Sequence, residues 1–183
     1  IMFVPFDFNE LVTLLEQHKI VIAMSGVSIT AGRLERISFT KQYAQSEHVL
    51  VTKDFNVATF NQYTTIEEDP EILIAALQGS SLYDKAQKLF PKRSIVGLNN
   101  YDQFLALGDN SLLYWATPQA THFVMMHPQF GMIKAPHDTA YDELAFATSK
   151  DAGEFLDYLN LWLGLQKSNG TLEQLYKKWV EGD

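Results

Sequence analysis

The sequence predicts an α/β protein that can be built as two lobes. Short apolar segments, typical of buried strands, alternate with segments of helical period along most of the 183 residues. With 46% hydrophobic residues the chain can form a real core, and its length fits one ordinary domain or two small lobes. A polar, irregular stretch at 56–70 interrupts the alternation and is typical of a loop or a crossing between lobes.

The predicted elements follow in chain order. An apolar run at 1–4 predicts a strand, and 7–17 predicts a helix with one apolar face. The run at 20–24 is continuous and apolar, as in a strand of a buried parallel sheet. Further strands are predicted at 49–52, 72–77, 94–98, 112–115, 130–133 and 144–148, and further helices at 82–90, 100–105, 117–126, 151–169 and from 171 onward. Strands separated by helices imply parallel sheets, whose ligands bind beyond the carboxyl ends of the strands.

Composition excludes several functions. The chain has 14 basic and 22 acidic residues, a net charge of −8, and no basic stripe, so nucleic acid and anionic membrane surfaces are not expected partners. It has no cysteine, which excludes disulfides and thiolate chemistry. No apolar run approaches the roughly 20 residues of a membrane span. The abrupt apolar opening is what a mature secreted protein or an excised domain would show.

The most informative segment lies at 24–33. An apolar strand leads into Gly26, hydroxyls follow at Ser28 and Thr30, and Arg33 comes at the start of a helical turn. A guanidinium matches a carboxylate in shape and charge, a serine hydroxyl can donate to it, and glycine lets it approach the backbone. The segment therefore predicts a carboxylate site formed by Ser25, Gly26, Ser28 and Arg33. In the alternative interpretation, Ser28 and Thr30 cap a turn and Arg33 pairs with Glu35 or another neighbour.

A second turn has the same composition. Gly79, Ser80 and Ser81 stand between a predicted strand and a predicted helix, so they are predicted to bind ligand. The alternative is an ordinary loop with a serine N-cap. Trp115, at the end of another predicted strand, can either stack on a ligand or pack in the core. Trp162 and Trp179 are expected in the core, and His122, His127 and His137 in packing or surface roles rather than at a metal. No metal, cofactor or catalytic residue is predicted.

The residues 24–43, MSGVSITAGRLERISFTKQY, resemble the signature of the bacterial extracellular solute-binding proteins of family 3. That signature has a glycine, a Thr/Ser, Thr-Pro-Glu-Arg, Phe-Ser/Thr and a Tyr. Further resemblances lie at 78–81, at 100–105 and at 167–172, and in Tyr176 and Trp179. The order and spacing of these motifs carry the resemblance over nearly the whole chain.

The resemblance implies an α/β, two-lobed periplasmic binding protein type II-like fold. Its lobes would be 1–52 and 144–183 for lobe one and 53–143 for lobe two. It also implies a place in the periplasm or on the extracellular face of the membrane. The implied ligand is a small carboxylate or amino acid, bound for transport or sensing. The implied partner is a membrane transporter, of the ABC or symporter type, or an attached membrane domain.

Two departures from the family bear on these expectations. The segment 1–5 resembles the family's second strand, so the first lobe is expected to be N-terminally truncated. Amino-acid binders of the family place an acid after a second-lobe strand, where this chain has Trp115, Ala116 and Thr117. Unless Asp142, Glu143 or another acid substitutes, a mono- or dicarboxylate is expected to bind better than basic or neutral amino acids.

Two finer assignments complete the expectations. Met24-Ser25-Gly26, Trp115 and 127–130 resemble a branch attached to sodium:dicarboxylate symporter-type transporters. The alternative function is a cyclohexadienyl dehydratase-like enzyme on the same fold, which would need an acid or base near Ala116 or Thr117. Binding without catalysis is the expected function.

Overall fold

The computed structural model describes residues 1–135 and 141–182, except for the side chain of residue 181. The chain forms two compact units. Unit 1 contains Ile1–Ser46 and Tyr141–Trp179, and unit 2 contains Glu47–Ala140 and Val180–Gly182. The predicted lobe limits at 52/53 and 143/144 stay a prediction.

Unit 1 is organised around one long strand that returns to it late in the chain. Its elements are α1 (Leu11–Glu16), β1 (Ala23–Ser28), α2 (Ala31–Leu34), β2 (Ile37–Phe39), β3 (Ala44–Ser46), β9 (Asp142–Ser149), α7 (Gly153–Ser168) and α8 (Thr171–Tyr176). β9 pairs with β1 along one edge and with β2 and β3 along the other, always antiparallel. The predicted parallel arrangement is therefore wrong for this sheet, because its central strand enters in the direction opposite to β1 and β2.

The unit 1 core lies mainly between α1 and the sheet. Leu11 and Leu15 are fully buried one turn apart and pack with Val27, Ile37 and Ala147. On α7, Leu159 and Leu163 are buried. The expectation that Trp162 and Trp179 belong to the core is wrong, because the two residues are 37% and 65% exposed. The two leucines are buried on α7 instead of Trp162, and Trp179 follows α8, in which no residue is buried.

Unit 2 contains a five-stranded mixed sheet in the order β6-β5-β7-β4-β8. Its elements are β4 (His48–Lys53), α3 (Val57–Phe60), α4 (Tyr63–Glu68), β5 (Leu73–Leu77), α5 (Ser81–Leu89), β6 (Ile95–Leu98), β7 (Ser111–Ala116), α6 (Thr117–Met126) and β8 (Phe130–Lys134), with 3₁₀ turns at Asp54–Asn56 and Tyr101–Ala106. β5 pairs with β6 and β7 in parallel, as predicted, whereas β4 is antiparallel to β7 and β8. The turns that follow the parallel strands therefore lie at one edge of the sheet.

Several local expectations differ from the structure. The run 1–4 is not a strand: it has no ladder partner among the described residues, and its side chains are exposed. The stretch 56–70 is not an irregular loop, since it folds as short helical turns that bury Phe60 and Ile66. By contrast, the helix predicted at 117–126 is confirmed residue for residue. An asparagine at 100 with a glutamine three positions later also predicts a helix cap, and the Asn100 side chain accepts a hydrogen bond from the Gln103 amide at 3.2 Å.

Candidate ligand-binding site

The segment that carries the predicted carboxylate site begins inside a strand rather than after one. β1 extends to Ser28, so Ser25, Gly26 and Ser28 are all strand residues. Gly26 has φ of 64°, and the register against β9 shifts between Ala23 and Val27. A glycine at positive φ inside an antiparallel pair is how a β-bulge is accommodated. The strand was predicted to end at residue 24 because the apolar run stops before Ser25 and Gly26, whereas β1 continues through the bulge to Ser28.

Ser28 occupies the centre of this segment, and both of its oxygens are engaged. Its hydroxyl donates to the Asp142 carboxylate, Oγ to Oδ2, over 2.8 Å. Its carbonyl accepts from Nη1 of Arg33 over 3.0 Å. Ser28 and Asp142 are 6% and 8% exposed, so the contact is largely shielded from water. One residue thus connects a guanidinium on one side with a carboxylate on the other.

Arg33 is held close to β1 by two local contacts. Besides the bond from its guanidinium to Ser28, its amide donates to the hydroxyl of Thr30 over 3.3 Å, which makes Thr30 the N-cap of α2. The alternative that Thr30 caps a turn is confirmed, while Ser28 bonds across the sheet instead of capping. Because α2 is a single turn of four residues, any contribution of the helix start to anion binding is small.

Tyr43 completes the described surroundings of Gly26. Burial raises the pKa of Tyr43, and a weaker opposing effect comes from a hydrogen bond with the backbone of Gly26. Its ring packs against Phe146 of β9, with centroids 5.0 Å apart. Tyr43 therefore ties the chain after β2 to the bulge in β1.

In unit 2 the second predicted turn follows β5. Gly79 has φ of 74°, as a tight turn requires. Ser80 is the N-cap of α5: its hydroxyl accepts from the Tyr83 amide at 3.3 Å and donates to the Leu77 carbonyl at 2.6 Å. Ser81 is the first residue of α5 and is buried. The serine N-cap, the more ordinary of the two interpretations, describes Ser80 well.

Trp115 ends β7 and packs within unit 2. It is 5% exposed, its ring stacks on Tyr101 with centroids 4.1 Å apart, and it meets the edge of Phe123 at 5.5 Å. Burial raises the pKa of Tyr101 to about 12, and the nearby Trp115 side chain opposes this to a smaller extent. Core packing therefore accounts for the Trp115 ring.

Two buried polar atoms at the end of β7 lack hydrogen-bond partners among the residues the structure describes. They are Nε1 of Trp115 and Oγ1 of Thr117, the latter in the first residue of α6. Buried donors without partners destabilise a fold and are uncommon, so each calls for an explanation. Because β5 and β7 are parallel neighbours, these atoms follow the same edge of the sheet as Ser80 and Ser81.

The structure thus sorts the predicted site residues into two sets. Ser25, Gly26, Ser28 and Arg33 lie together in unit 1, and Gly79, Ser80, Ser81 and Trp115 lie in unit 2. Sequence reasoning gave too little weight to Asp142, which it named only as a possible substitute acid. The sequence did contain a signal for Asp142: it begins a long apolar strand, and an acid in that position has to be paired or solvated.

Metal binding finds no support in the described residues. Within them, no cluster of three or more His, Asp or Glu side chains has the arrangement of a metal site. His127 contacts the Phe123 ring at 4.5 Å, in keeping with a packing role, and His137 lies outside the described residues. None of the helices in the described part of the chain has both the length and the apolar character needed to cross a membrane.

Taken separately, each unit is an α/β structure with candidate residues on or beside its strands: in unit 1 they lie within β1 and in α2, and in unit 2 they follow β5 and end β7. The sequence profile of the bacterial extracellular solute-binding proteins, family 3, matches residues 1–182. The chain belongs to this family, as its motifs predicted.

Two characterised relatives are similar over nearly the whole chain. The ABC transporter arginine-binding protein 1 of Escherichia coli is 24% identical over 97% of this chain and 73% of its own length. The arginine-binding extracellular protein ArtP of Bacillus subtilis is also 24% identical, over 97% of this chain and 69% of its own length.

Solved structures confirm the predicted fold class. An amino acid ABC transporter substrate-binding protein, AbpA of Streptococcus pneumoniae bound to L-arginine, superposes with a TM-score of 0.89 at 22% identity, covering 97% of this chain and 75% of that one. An ancestral amino acid-binding protein described as a precursor of cyclohexadienyl dehydratase gives 0.86 at 24% identity, covering 98% and 77%.

Proposed function

We propose that this chain binds a small solute bearing a carboxylate, either an organic acid or an amino acid, on the outer side of the cytoplasmic membrane. The observation that carries the proposal is the Arg33 guanidinium, which the Ser28 carbonyl and the Thr30 cap hold at the end of β1. A guanidinium presents five donors in a planar fork. One bond to Ser28 is therefore compatible with further bonds to a ligand carboxylate.

Residues of unit 2 support the same proposal. Trp115 and Thr117, whose donor groups have no hydrogen-bond partner within the described part of the chain, stand beside the start of α6, a helix of ten residues. Donor groups and a helix start both favour an acceptor atom such as a carboxylate or carbonyl oxygen. We propose that Gly79, Ser80, Ser81 and Trp115 contribute through their positions at this sheet edge, with Thr117 as an addition that the sequence did not suggest.

Delivery to a membrane transporter is the proposed biological role, with sensing through an attached membrane domain as the alternative. The two characterised relatives are arginine-binding proteins by name, and one of them belongs to an ABC transporter. We propose an ABC-type or symporter-type partner on that basis. The finer assignment to the sodium:dicarboxylate symporter branch stays a prediction.

A thermal-shift screen tests the proposal. We expect at least one proteinogenic amino acid or small dicarboxylate to raise the melting temperature, and the rise to grow with ligand concentration, because such a ligand binds only the folded state. The same ligand should act much more weakly on the Arg33→Ala variant. The proposal fails if no compound of either class shifts the transition at millimolar concentration.

The enzymatic alternative has less support from the site. A dehydratase needs a group that gives or takes a proton beside its substrate. At the position where such a group was expected the chain has Ala116 and Thr117, and neither side chain titrates near neutral pH. We therefore propose binding without chemistry.

A further inference from the structure

Lys150 contacts the short helix that carries Arg33. It follows β9 directly, and its ammonium donates a hydrogen bond from Nζ to the backbone carbonyl of Leu34 over 2.7 Å. Leu34 is the last residue of α2 and the next residue after Arg33. The two partners of this bond lie 116 positions apart in the chain, so the bond ties α2 to a distant part of the sequence.

The register of the sheet explains how this contact arises. Ile37, the first residue of β2, pairs with Ser149, the last residue of β9, and the two strands are antiparallel. The chain that enters β2 from α2 therefore lies beside the chain that leaves β9 at Lys150. From there the flexible stem of a lysine can reach back to the end of α2. An ammonium is favourable at that end, because the last carbonyls of a helix carry partial negative charge.

Helix α2 depends on such bonds because packing does little to hold it. It has four residues, and none of them is buried. A single turn of helix is unstable by itself, since its formation fixes several residues for very few hydrogen bonds. The Thr30 cap and the bond from Arg33 to Ser28 hold α2 to β1. The bond from Lys150 holds the C-terminal end of α2 to the chain that follows β9.

We propose that Lys150 is a positioning residue for ligand binding. By fixing the end of α2, it fixes the direction in which the neighbouring Arg33 guanidinium points. This inference rests on the function proposed above, in which Arg33 binds the ligand carboxylate, and it adds a residue that acts through Arg33 without touching the ligand. An arginine that is free to change direction binds less tightly, because binding must then also restrict its motion.

Titration calorimetry on the 183-residue chain tests this role. The probes are L-arginine, L-glutamate, succinate and glutarate, and the one that raises the melting temperature most is titrated. Lys150→Met keeps an apolar stem but removes the donor, and we expect it to weaken binding about fivefold, as the loss of one hydrogen bond would. Lys150→Arg keeps a donor and should retain most of the affinity. The control Lys19→Met removes the charge of another exposed lysine of unit 1 and should bind like the wild-type protein.

A double-mutant cycle with Arg33→Ala separates positioning from a direct effect of the Lys150 charge. If Lys150 acts through Arg33, Lys150→Met should change the affinity by less than about twofold once residue 33 is alanine. An equal weakening in both backgrounds would mean that the Lys150 ammonium attracts or contacts the ligand itself, and the inference would be wrong. A Lys150→Arg protein that binds as weakly as Lys150→Met also overturns it, because the donor is then not what matters.

The remaining outcomes separate this inference from the proposed function. If the wild-type protein binds a probe and Lys150→Met binds it equally well, the inference is wrong and the function stands. If Lys150→Met does not fold, Lys150→Ala takes its place in the same cycle. If Arg33→Ala binds like the wild-type protein, the inference fails together with the assignment of Arg33. If neither the four probes nor any compound of the thermal-shift screen binds the wild-type protein, the proposed function fails and the inference fails with it.

Discussion

Two turns of similar composition, one in each unit, differ in what their hydroxyl groups do. In unit 1 the glycine lies inside a strand at a bulge, and the Ser28 hydroxyl reaches across the sheet to a buried acid. In unit 2 the glycine lies in a turn after the strand, and the Ser80 hydroxyl closes the first turn of its own helix. A glycine followed by hydroxyl residues therefore does not define a ligand site. In unit 1 the residues that fold against the glycine segment are charged, since Arg33 and Asp142 both bond to Ser28.

The largest expected effect is on ligand affinity, and it comes from a substitution of Arg33 in unit 1. Arg33→Ala should weaken ligand binding roughly tenfold or more, because a charge-assisted hydrogen bond contributes about 1.5–3 kcal/mol. The matched control is Arg36→Ala: Arg36 pairs with Glu16 on the exposed surface, and its loss should leave affinity unchanged. Titration calorimetry with any ligand found by thermal shift measures both. Equal affinities of the wild-type and Arg33→Ala proteins would show that the guanidinium takes no part in binding.

The buried tyrosine beside Trp115 gives a pH-dependent expectation for unit 2. The folded pKa of Tyr101 is about 12, above the roughly 10 of an unfolded chain. Between these values the unfolded state has lost a proton that the folded state retains. The stability that the neutral Tyr101 phenol contributes is therefore fully present below about pH 10. As the pH rises through about 12 this contribution is lost, and the free energy of unfolding falls by on the order of 2 kcal/mol.

Denaturant unfolding of the wild-type and Tyr101→Phe proteins across pH 9–12 checks this expectation. The variant has no phenol at position 101 to titrate, so its stability should fall less steeply over that range. Parallel slopes for the two proteins would contradict the assignment. Burial also raises the pKa of Tyr43 and of Tyr63, but both residues are present in the two proteins, so the difference between the slopes isolates Tyr101.

The two units also differ in how far the sequence predicts them. The helix at 117–126 and the cap at Asn100 follow from local patterns alone, so the sequence predicts them closely. The antiparallel sheet of unit 1 depends on β9, which lies about a hundred residues beyond its partner β1 in the chain. Local periodicity carries no information about such a pairing, which is why the parallel arrangement was predicted there.

The candidate site shows the same limit. Arg33 and Ser28 were identified because they lie within one short segment with a recognisable spacing. The bond between Ser28 and Asp142 joins residues 114 positions apart, and only the folded sheet brings them together. For Trp115 the sequence allowed both a core and a ligand role, and the stacking on Tyr101 comes from a 3₁₀ turn whose packing could not be predicted from local patterns.

The smallest expected effect is on the free energy of unfolding without ligand, measured for a variant of each of the two serines. Ser80→Ala removes an N-cap, which typically lowers the free energy of unfolding by about 1 kcal/mol. Ser28→Ala removes the donor to a buried carboxylate and should cost about 1–3 kcal/mol, because the Asp142 charge then loses a compensating bond. Denaturant unfolding of both variants at neutral pH should therefore give Ser28→Ala a smaller free energy of unfolding than Ser80→Ala.

The double variant Ser28→Ala, Asp142→Asn should recover part of the stability that Ser28→Ala loses, since the buried group at position 142 is then neutral. If the double variant is instead less stable than Ser28→Ala, the charge of Asp142 is compensated mainly by other groups. The two serine hydroxyls then differ less in their contribution to stability than their hydrogen bonds indicate.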